Sequence, residues 1–384
     1  MAFDFATASE VVFGRGRLSE LPARAAMFGA RMLLVTGSRP ERAAATLELL
    51  RGQGLACTTF AVSGEPTIEL AREGVRLARE AEVALVVALG GGSVIDAGKA
   101  IAALLGNGGD PLDYAEVIGK GRKIDKPSLP FIAVPTTAGT GAEVTRNAVL
   151  ASHEHRVKVS LRSVHMLPKV ALVDSELTHS VPPEITAATG LDALTQVLEP
   201  YVSNASNPVV DALSLEGLSR AARGLRRAFR DGSDAEARED MALCSLLGGL
   251  CLANAKLGAV HGFAAPLGGS FTAPHGALCA RLLPLVIATN IAALRTRAPH
   301  SPVLERYATV ARVLTGNRGA RAEDAVTWTE ALVSELGIPP LRTYGMTASD
   351  IPDVVQKARR ASSMKGNPIE LDEAELGAIL EAAL

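Results

Sequence analysis

The stretch that decides the fold runs from residue 83 to residue 100 and reads VALVVALGGGSVIDAGKA. Its first seven residues are apolar and uncharged, which is typical of a strand buried on both faces. Three glycines follow, and the run that begins at Ser93 has the composition of a helix. Free N–H groups and the positive dipole end at a helix start attract anions, so the turn predicts a phosphate or pyrophosphate site. A tight turn without a ligand remains the alternative, because the pattern is not Gly-x-Gly-x-x-Gly.

The composition of the 384 residues indicates a globular protein of two domains, with 48% apolar and 21% charged residues. The net charge of −2 offers no electrostatic surface for nucleic acid or an acidic membrane, so we expect neither partner. The four cysteines form no Cys-x-x-Cys pair and are interpreted as reduced thiols of the core. We recognise no secretory signal and no apolar run of bilayer length, which predicts a cytoplasmic protein.

Strand and helix signals alternate in the first half of the chain, which predicts a parallel sheet with helices on both faces. The predicted strands cover residues 8–16, 31–36, 56–62, 83–89 and 131–135, with further strands at 148–151, 156–161 and 170–174. Residues 106–128 read as a surface excursion. After residue 178 the strand signals nearly vanish. We therefore predict a Rossmann-like α/β domain over residues 1–178 and an all-α domain over residues 179–384.

A second unusual stretch, TTAGTGAEVT at residues 136–145, directly follows the predicted strand at 131–135. Its hydroxyl groups and open backbone suit a ligand that carries phosphate, ribose or amide groups. Open α/β sheets bind ligands at the carboxyl ends of their strands, which favours a binding role. The alternative is a polar loop that caps a helix.

The helical half contains a third candidate site. Asp192 and Gln196 are four residues apart, which places them on one face of a helix. Together with His261 and His275 they form a plausible ligand set for Fe²⁺ or Zn²⁺, although an amide oxygen is a weak ligand. The alternative is a set of buried polar groups that hydrogen-bond to one another.

Residues 90–96, residues 135–145 and the set Asp192, His261 and His275 together resemble the iron-containing (group III) alcohol dehydrogenases. The resemblance covers essentially the whole chain and implies a dehydroquinate synthase-like architecture, with catalysis in a cleft between a nucleotide domain and a helical metal domain. It also implies NAD(P), a divalent metal and a small alcohol or aldehyde substrate, and we expect a homodimer. The implied cofactor ligands are Gly91, Gly92, Ser93 and Asp96 for the pyrophosphate and nearby ribose, Thr136, Thr137, Thr140 and Thr145 for the adenine and nicotinamide sides, and Lys158 for the nicotinamide ribose region.

Two positions depart from the family pattern. Gln196 stands where a histidine ligand is usual, and Ala265 stands where a further active-site histidine is usual. The related maleylacetate reductases are thought to work without metal, so a metal-independent reductase is one alternative. A non-redox enzyme similar to dehydroquinate synthase and an inactive nucleotide-binding protein are two others. For hydride transfer the candidate catalytic residues are His261, His275 and Lys158, and either histidine would donate a proton if no metal binds.

The turn after the first buried strand bears on cofactor choice. It reads Gly37-Ser38-Arg39, with no acidic residue before Glu41. A carboxylate there would hydrogen-bond the ribose 2′-OH and repel a 2′-phosphate, whereas Ser38 and Arg39 can bind that phosphate. The turn therefore predicts that NADP(H) is accepted at least as well as NAD(H). The alternative is that Arg39 is a solvated turn residue.

Overall fold

The computed structural model describes residues 2–116, 118–152, 154–155 and 157–384. Its internal contacts divide the chain into two compact units. The sheet unit consists of residues 5–137 and 141–178, and the helical unit consists of residues 2–4, 138–140 and 179–384. The predicted fold class, a parallel α/β sheet followed by a helical region, is confirmed.

The sheet unit contains eight strands and five α-helices among the described residues. The strands are β1 (Glu10–Phe13), β2 (Arg31–Gly37), β3 (Ala56–Val62), β4 (Leu85–Gly90), β5 (Phe131–Pro135), β6 (Asn147–Ser152), β7 (Val157–Arg162) and β8 (Val170–Val173). The helices are α1 (Leu21–Ala26), α2 (Ala44–Arg51), α3 (Ile68–Glu80), α4 (Gly92–Asn107) and α5 (Pro111–Tyr114).

Six of these strands form one parallel sheet in the order β1-β8-β5-β4-β2-β3. Without the edge strand β1, this is the 2-1-3-4-5 order of a doubly wound sheet. The strand order reverses between β2 and β4. Ligands of such sheets bind outside the carboxyl ends of the strands at that reversal, so the turns that follow β2 and β4 lie at the expected position.

Strand β4 is buried on both faces, as its uninterrupted apolar run predicts. Val86 and Ala88 pack into a core shared with α3 and α4. Leu85, Val87 and Leu89 pack into the opposite core, which α1 and α2 cover. Each buried leucine or valine contributes about 1.5–3 kcal/mol relative to an exposed side chain, and this burial holds the glycine turn at the end of β4 in place.

Two strands predicted after residue 145 do not join the parallel sheet. β6 and β7 pair with each other in an antiparallel hairpin. The alternating burial along β6 explains the difference, because a strand of the parallel sheet would be apolar on both faces. The predicted strand at 156–161 starts at Arg156, which lies outside the described residues. The first strand is shorter than the prediction of residues 8–16, because only β1 forms there. The segment 106–128, predicted as a surface excursion, contains the short helix α5.

The helical unit contains nine α-helices, and none of its described residues from 179 onward belongs to a strand. They are α6 (Pro183–Val202), α7 (Pro208–Arg230), α8 (Ala235–Asn254), α9 (Ala259–Ser270), α10 (His275–Arg297), α11 (Pro302–Thr315), α12 (Ala322–Glu335), α13 (Ile351–Arg360) and α14 (Glu373–Ala383). α6 packs against α7, α8 and α10 and is buried over most of its length. Its polar residues are therefore held inside the unit, where they need partners.

Helix α10 corrects one expectation from the sequence. By length and composition it is apolar enough to cross a bilayer, and it is the only single helix among the described residues with this property. In the structure 72% of its apolar window is buried within the protein. A long apolar helix in a protein core has the same length and composition as a membrane-spanning helix, and burial inside the protein is typical of the core helix.

Candidate functional site

The glycine turn and the threonine loop lie together at the carboxyl edge of the sheet. Gly91 caps α4, and the helix begins at Gly92 and Ser93, whose N–H groups lie in the first turn, where no intrahelical acceptor exists. β4 and β5 are neighbours, and the N–H group of Thr136 donates to the carbonyl of Gly90 over 3.0 Å. This edge therefore places backbone donors and threonine residues beside the start of a helix, a position that stabilises anions in general.

Two of the residues predicted to bind the cofactor are engaged within the sheet unit by Lys99. The buried ammonium group of Lys99 lies 3.1 Å from a carboxylate oxygen of Asp96 and donates to the hydroxyl of Thr145 over 2.8 Å. The second oxygen of Asp96 accepts a hydrogen bond from the N–H group of Val149 over 3.0 Å. These contacts tie α4 to β6 and to the end of the threonine loop. The sequence does not indicate this role of Lys99, because its partners other than Asp96 are more than 40 residues away along the chain.

The remaining residues of the threonine loop and hairpin are distributed as follows. Residues 138–140, which include Thr140, belong to the helical unit. Burial raises the pKa of Glu143 to about 7, against the opposing effect of Lys99. Lys158 lies on β7, and its ammonium group pairs with Glu65 over 2.5 Å. The predicted nicotinamide contact of Lys158 stays a prediction.

The turn after β2 lies at the reversal of strand order. Gly37 ends β2, which is the neighbour of β4 in the sheet. The space in which a Cβ of Gly37 would stand has no atom within 4 Å, and Ser38 and Arg39 are exposed. The turn therefore has room for a phosphate or for a larger side chain.

In the helical unit the structure brings together the three strong donors that the sequence predicted. Asp192 lies in the middle of α6, His261 in the first turn of α9 and His275 at the start of α10. Nε2 of His261 lies 3.3 Å from Oδ1 of Asp192, and Nε2 of His275 lies 3.9 Å from the same oxygen. Asp192 and His261 are buried, whereas the side chain of His275 is 43% exposed. His275 is thus the member of the group that faces the surface of the helical unit.

A fourth donor that sequence analysis did not use lies in the same group. Cys279 follows His275 by one helical turn on α10, and its Sγ lies 3.6 Å from Nε2 of His275. One ligand atom from each of Asp192, His261, His275 and Cys279 lies within 4.8 Å of all the others. We call these four residues the Asp–His–His–Cys cluster. The i, i+4 spacing of His275 and Cys279 was visible in the sequence, but Cys279 was interpreted as a core thiol.

Gln196 takes part through one end of its amide only. Its Nε2 donates to the carbonyl of Gly139 over 3.0 Å. A carbonyl can only accept, so this bond fixes the amide oxygen on the opposite side. That oxygen is buried without a hydrogen-bond partner, and so is Oδ1 of Asp192, although Nε2 of His261 lies 3.3 Å from it. Two buried acceptors without partners, one turn apart on α6, need a positive charge or a donor.

Glu199 is a further residue of this site that the sequence did not indicate. Its Oε2 lies 2.7 Å from Nδ1 of His261, and its Oε1 accepts from the N–H group of Val260 over 2.7 Å. Glu199 lies seven residues after Asp192 on α6, so the spacing of two helical turns was an available signal. The hydrogen bond orients the ring and leaves Nε2 of His261 directed toward Asp192.

Two glycines allow the helices to approach this closely. A Cβ on Gly276 would stand 2.4 Å from the carbonyl oxygen of Ala188, so the glycine lets the first turn of α10 touch the backbone of α6. A Cβ on Gly258 would stand 2.8 Å from Oε1 of Glu199. Larger residues at either position would displace His275 or Glu199.

The electrostatics of the Asp–His–His–Cys cluster favour a cation. Burial raises the pKa of Asp192, but His275, His261 and Cys279 outweigh it and hold this pKa below its usual value. Burial lowers the pKa of His261, but Cys279, Asp192 and Glu199 outweigh it and hold the pKa well above its usual value. Cys279 and Asp192 also raise the pKa of His275. Negative charge in a buried site thus attracts either protons or a metal ion.

Ala265, where the family usually has a histidine, lies one turn after His261 on α9 and is exposed. Its methyl group cannot transfer a proton. Proton transfer in this protein must therefore use other groups.

The comparisons with known proteins agree across the whole chain. The profile of iron-containing alcohol dehydrogenases matches residues 8–175, and the profile of the C-terminal region of the same family matches residues 186–384. The chain is 35% identical to 1,3-propanediol dehydrogenase of Klebsiella pneumoniae, over 99% of this chain and 98% of that protein. It is 35% identical to lactaldehyde reductase of Escherichia coli, over 93% of each.

Solved structures show the same relationship. A crystal structure of 1,3-propanediol oxidoreductase superposes with a TM-score of 0.91 at 35% identity and covers 100% of both chains. Sulfoacetaldehyde reductase from Bifidobacterium kashiwanohense, solved in complex with NAD⁺, superposes with a TM-score of 0.89 at 29% identity, over 100% of this chain and 99% of that one. Two profiles, full-length relatives and full-length structural matches lead to one conclusion: the chain belongs to the iron-containing alcohol dehydrogenase family.

Proposed function

We propose that this protein is an NAD(P)-dependent alcohol dehydrogenase or aldehyde reductase that acts on small alcohols and carbonyl compounds with the help of a divalent metal. The observation that carries the proposal is the convergence of Asp192, His261 and His275, with a buried carboxylate oxygen that has no hydrogen-bond partner. The names of the relatives support small hydroxylated substrates, since they include propanediol, lactaldehyde and 4-hydroxybutyrate enzymes.

The sheet unit would bind the cofactor. Gly91, Gly92 and Ser93 lie at the start of α4, where N–H groups and the helix dipole stabilise the pyrophosphate. Thr136 and Thr137 follow the neighbouring strand and would offer hydroxyl groups to the same ligand. The position of α4 at this site would be stabilised by Asp96, Thr145 and Lys99, because their contacts hold α4, β6 and the threonine loop together.

The helical unit would hold the metal through Asp192, His261 and His275, with the amide oxygen of Gln196 or a water completing the set. The donor set fits such an ion, because carboxylate and imidazole are ligands of Fe²⁺ and Zn²⁺ and the site carries buried negative charge. When bound, NAD(P)H supplies hydride, and a divalent ion supplies a Lewis acid for the substrate oxygen. Glu199 keeps His261 in one tautomer, and the exposed His275 is placed to exchange protons with solvent.

A metal-independent reductase is the second candidate, and one observation favours it. The exposed imidazole of His275 lies 3.9 Å from the buried carboxylate of Asp192, which favours the protonated form of the imidazole when no metal binds, and this imidazole can give its proton to the reduced oxygen. In that case Nε2 of His275 would be the donor, and Asp192 would stabilise the imidazolium ion.

The test measures consumption of NADH and NADPH with a panel of short aldehydes, including lactaldehyde. One sample is stripped with a chelator, and others are reconstituted with Zn²⁺ or Fe²⁺. We expect activity only in the reconstituted samples. Full activity after stripping would support the metal-independent reductase, and no consumption in any sample would contradict both.

The Gln196→His variant probes the weak position of the site. An imidazole is a better donor to Fe²⁺ or Zn²⁺ than a neutral amide, so the metal content of the purified variant, measured by elemental analysis, should exceed that of the wild type. Unchanged metal content would contradict a ligand role for position 196.

We also infer a cytoplasmic homodimer from the resemblance to the family. Light scattering of the purified protein should then give twice the chain mass of 39.9 kDa. A mass of one chain would contradict the dimer.

A further inference from the structure

Cys279 is the one member of the Asp–His–His–Cys cluster for which the family resemblance offers no role. Its side chain is fully buried, with no exposed surface, near the start of α10. Its Sγ lies 3.6 Å from Nε2 of His275 and within 4.8 Å of the ligand atoms of Asp192 and His261. A buried thiol whose neighbours are two imidazoles and a carboxylate does not resemble an inert core cysteine.

Two separations between donor atoms of the cluster agree with tetrahedral coordination. Ligand atoms about 2.0–2.3 Å from a tetrahedral zinc ion lie about 3.3–3.8 Å from one another. The separation of Sγ of Cys279 and Nε2 of His275 is 3.6 Å. The separation of Nε2 of His261 and Oδ1 of Asp192 is 3.3 Å. The third pair, His275 and Asp192, is wider at 3.9 Å. Two of these three donor pairs therefore already have the spacing of a four-ligand site.

The other three cysteines show what distinguishes Cys279. Among the described residues, the hydrogen-bond partners of the Cys251 thiol, which is also buried, are the hydroxyl of Ser214 over 3.4 Å and the backbone carbonyl of Val210. Burial raises the pKa of the Cys251 thiol to about 12, which keeps it protonated and inert. Cys57 belongs to the sheet unit, and the described contacts of Cys244 include no imidazole. The cluster contains Cys279 and no other cysteine.

We propose that Cys279 is a metal ligand through its thiolate, and that it shifts the preference of the site from Fe²⁺ toward Zn²⁺. This inference rests on the proposed binding of a divalent ion by the helical unit. A thiolate is a softer and stronger donor than the amide oxygen of Gln196, and soft thiolate donors favour zinc over a single ferrous ion. The thiol loses its proton when it binds the metal, so one proton is released per ion bound.

The test uses the full-length protein stripped of metal and titrated with Co²⁺, a spectroscopic substitute for Zn²⁺. Thiolate coordination to Co²⁺ produces an intense charge-transfer band in the near ultraviolet. We expect this band in the wild type at one equivalent of Co²⁺ and expect it to be absent in Cys279→Ser. Cys251→Ser is the matched control, because the new hydroxyl can donate a hydrogen bond to Ser214 or to a backbone carbonyl. This control variant should keep the band.

A second measurement compares affinities by chelator competition under anaerobic conditions. The ratio of Zn²⁺ to Fe²⁺ affinity should fall in Cys279→Ser by at least about tenfold. Loss of a residue that only hydrogen-bonds to a metal ligand already lowers metal affinity by about tenfold or more, and a direct ligand should matter at least as much. Circular dichroism of the metal-free variants checks that they fold. A wild type without the band overturns the inference even if Cys279→Ser is unstable, and a band that persists in Cys251→Ser excludes Cys251 as its source.

The outcomes separate the two proposals. If Co²⁺ binds stoichiometrically with only weak ligand-field bands, the thiolate is not a ligand and this inference is overturned, while the metal site stands. If the band is present and survives in Cys279→Ser, another thiol supplies it and the inference is also overturned. If no Co²⁺ binds to any form, the proposed metal site itself fails, and the inference fails with it.

Discussion

Glu199 determines which nitrogen of His261 is free for a cation, because a carboxylate at Nδ1 holds the proton there and leaves the lone pair on Nε2. The Glu199→Gln variant cannot accept from both His261 and the N–H group of Val260, since one end of an amide is a donor. We expect it to bind Zn²⁺ about 10–100-fold more weakly than the wild type, as for other outer partners of metal ligands. Competition with a chromophoric chelator measures the change.

The control for that variant is Glu184→Gln, which removes an exposed carboxylate from the first turn of the same helix. It should leave the affinity for Zn²⁺ unchanged. Equal affinities in the wild type and in Glu199→Gln would show that the hydrogen bond to His261 does not support the site.

At the scale of secondary-structure elements, we expect the turn between β2 and α2 to select between NADH and NADPH. Gly37 ends β2, and a side chain there would meet open space. Gly37→Asp places a carboxylate where it can accept from a ribose 2′-OH but repels a 2′-phosphate. The ratio of kcat/KM for NADPH to kcat/KM for NADH should fall by at least about tenfold, because like-charge contacts cost several kcal/mol and a factor of ten corresponds to about 1.4 kcal/mol.

Gly37→Asn has nearly the same size without the charge and serves as the control for cofactor choice. It should change the ratio much less than Gly37→Asp does. A wild type that strongly prefers NADH, or an Asp variant with the wild-type ratio, would show that this turn does not read the 2′ position.

Local sequence patterns predicted the strands and helices that contain continuous apolar runs. They predicted little of how these strands and helices pair and pack. β4 and α4 followed from seven apolar residues and a glycine turn. The prediction did not distinguish the β6–β7 hairpin from the parallel sheet, because the sequence of a short strand does not indicate which strand it pairs with. Strand order is set by contacts between distant segments, which one sequence does not display.

For the whole molecule the same limit applies to the sites. The chemical types of Asp192, His261 and His275, together with the family resemblance, were sufficient to predict three side chains that the structure brings close together. The roles of Glu199, Cys279 and Lys99 depend on partners brought close by packing, so their spacing along the chain was a weak signal. The orientation of Gln196 depends on a backbone carbonyl at Gly139, which no side-chain pattern encodes.

A bound ion should also raise the stability of the protein. Asp192, His261 and His275 come from three separate helices, so an ion bound by all three stabilises only the folded helical unit. A ligand at 100 times its Kd adds about 2.7 kcal/mol, which corresponds to about 5–10 °C in Tm for a unit of this size. Differential scanning fluorimetry at one scan rate should therefore show a rise with Zn²⁺ that a chelator reverses.

The variant His275→Ala tests whether this rise comes from the proposed ligands. His275 is partly exposed and begins its helix, so the truncation should leave the Tm of the metal-free protein nearly unchanged while removing most of the response to Zn²⁺. NAD(P)⁺ should still raise the Tm of the variant, because its proposed ligands belong to the sheet unit. An equal response to Zn²⁺ in the wild type and in His275→Ala would place the bound ion elsewhere, and no response in either would contradict metal binding by these helices.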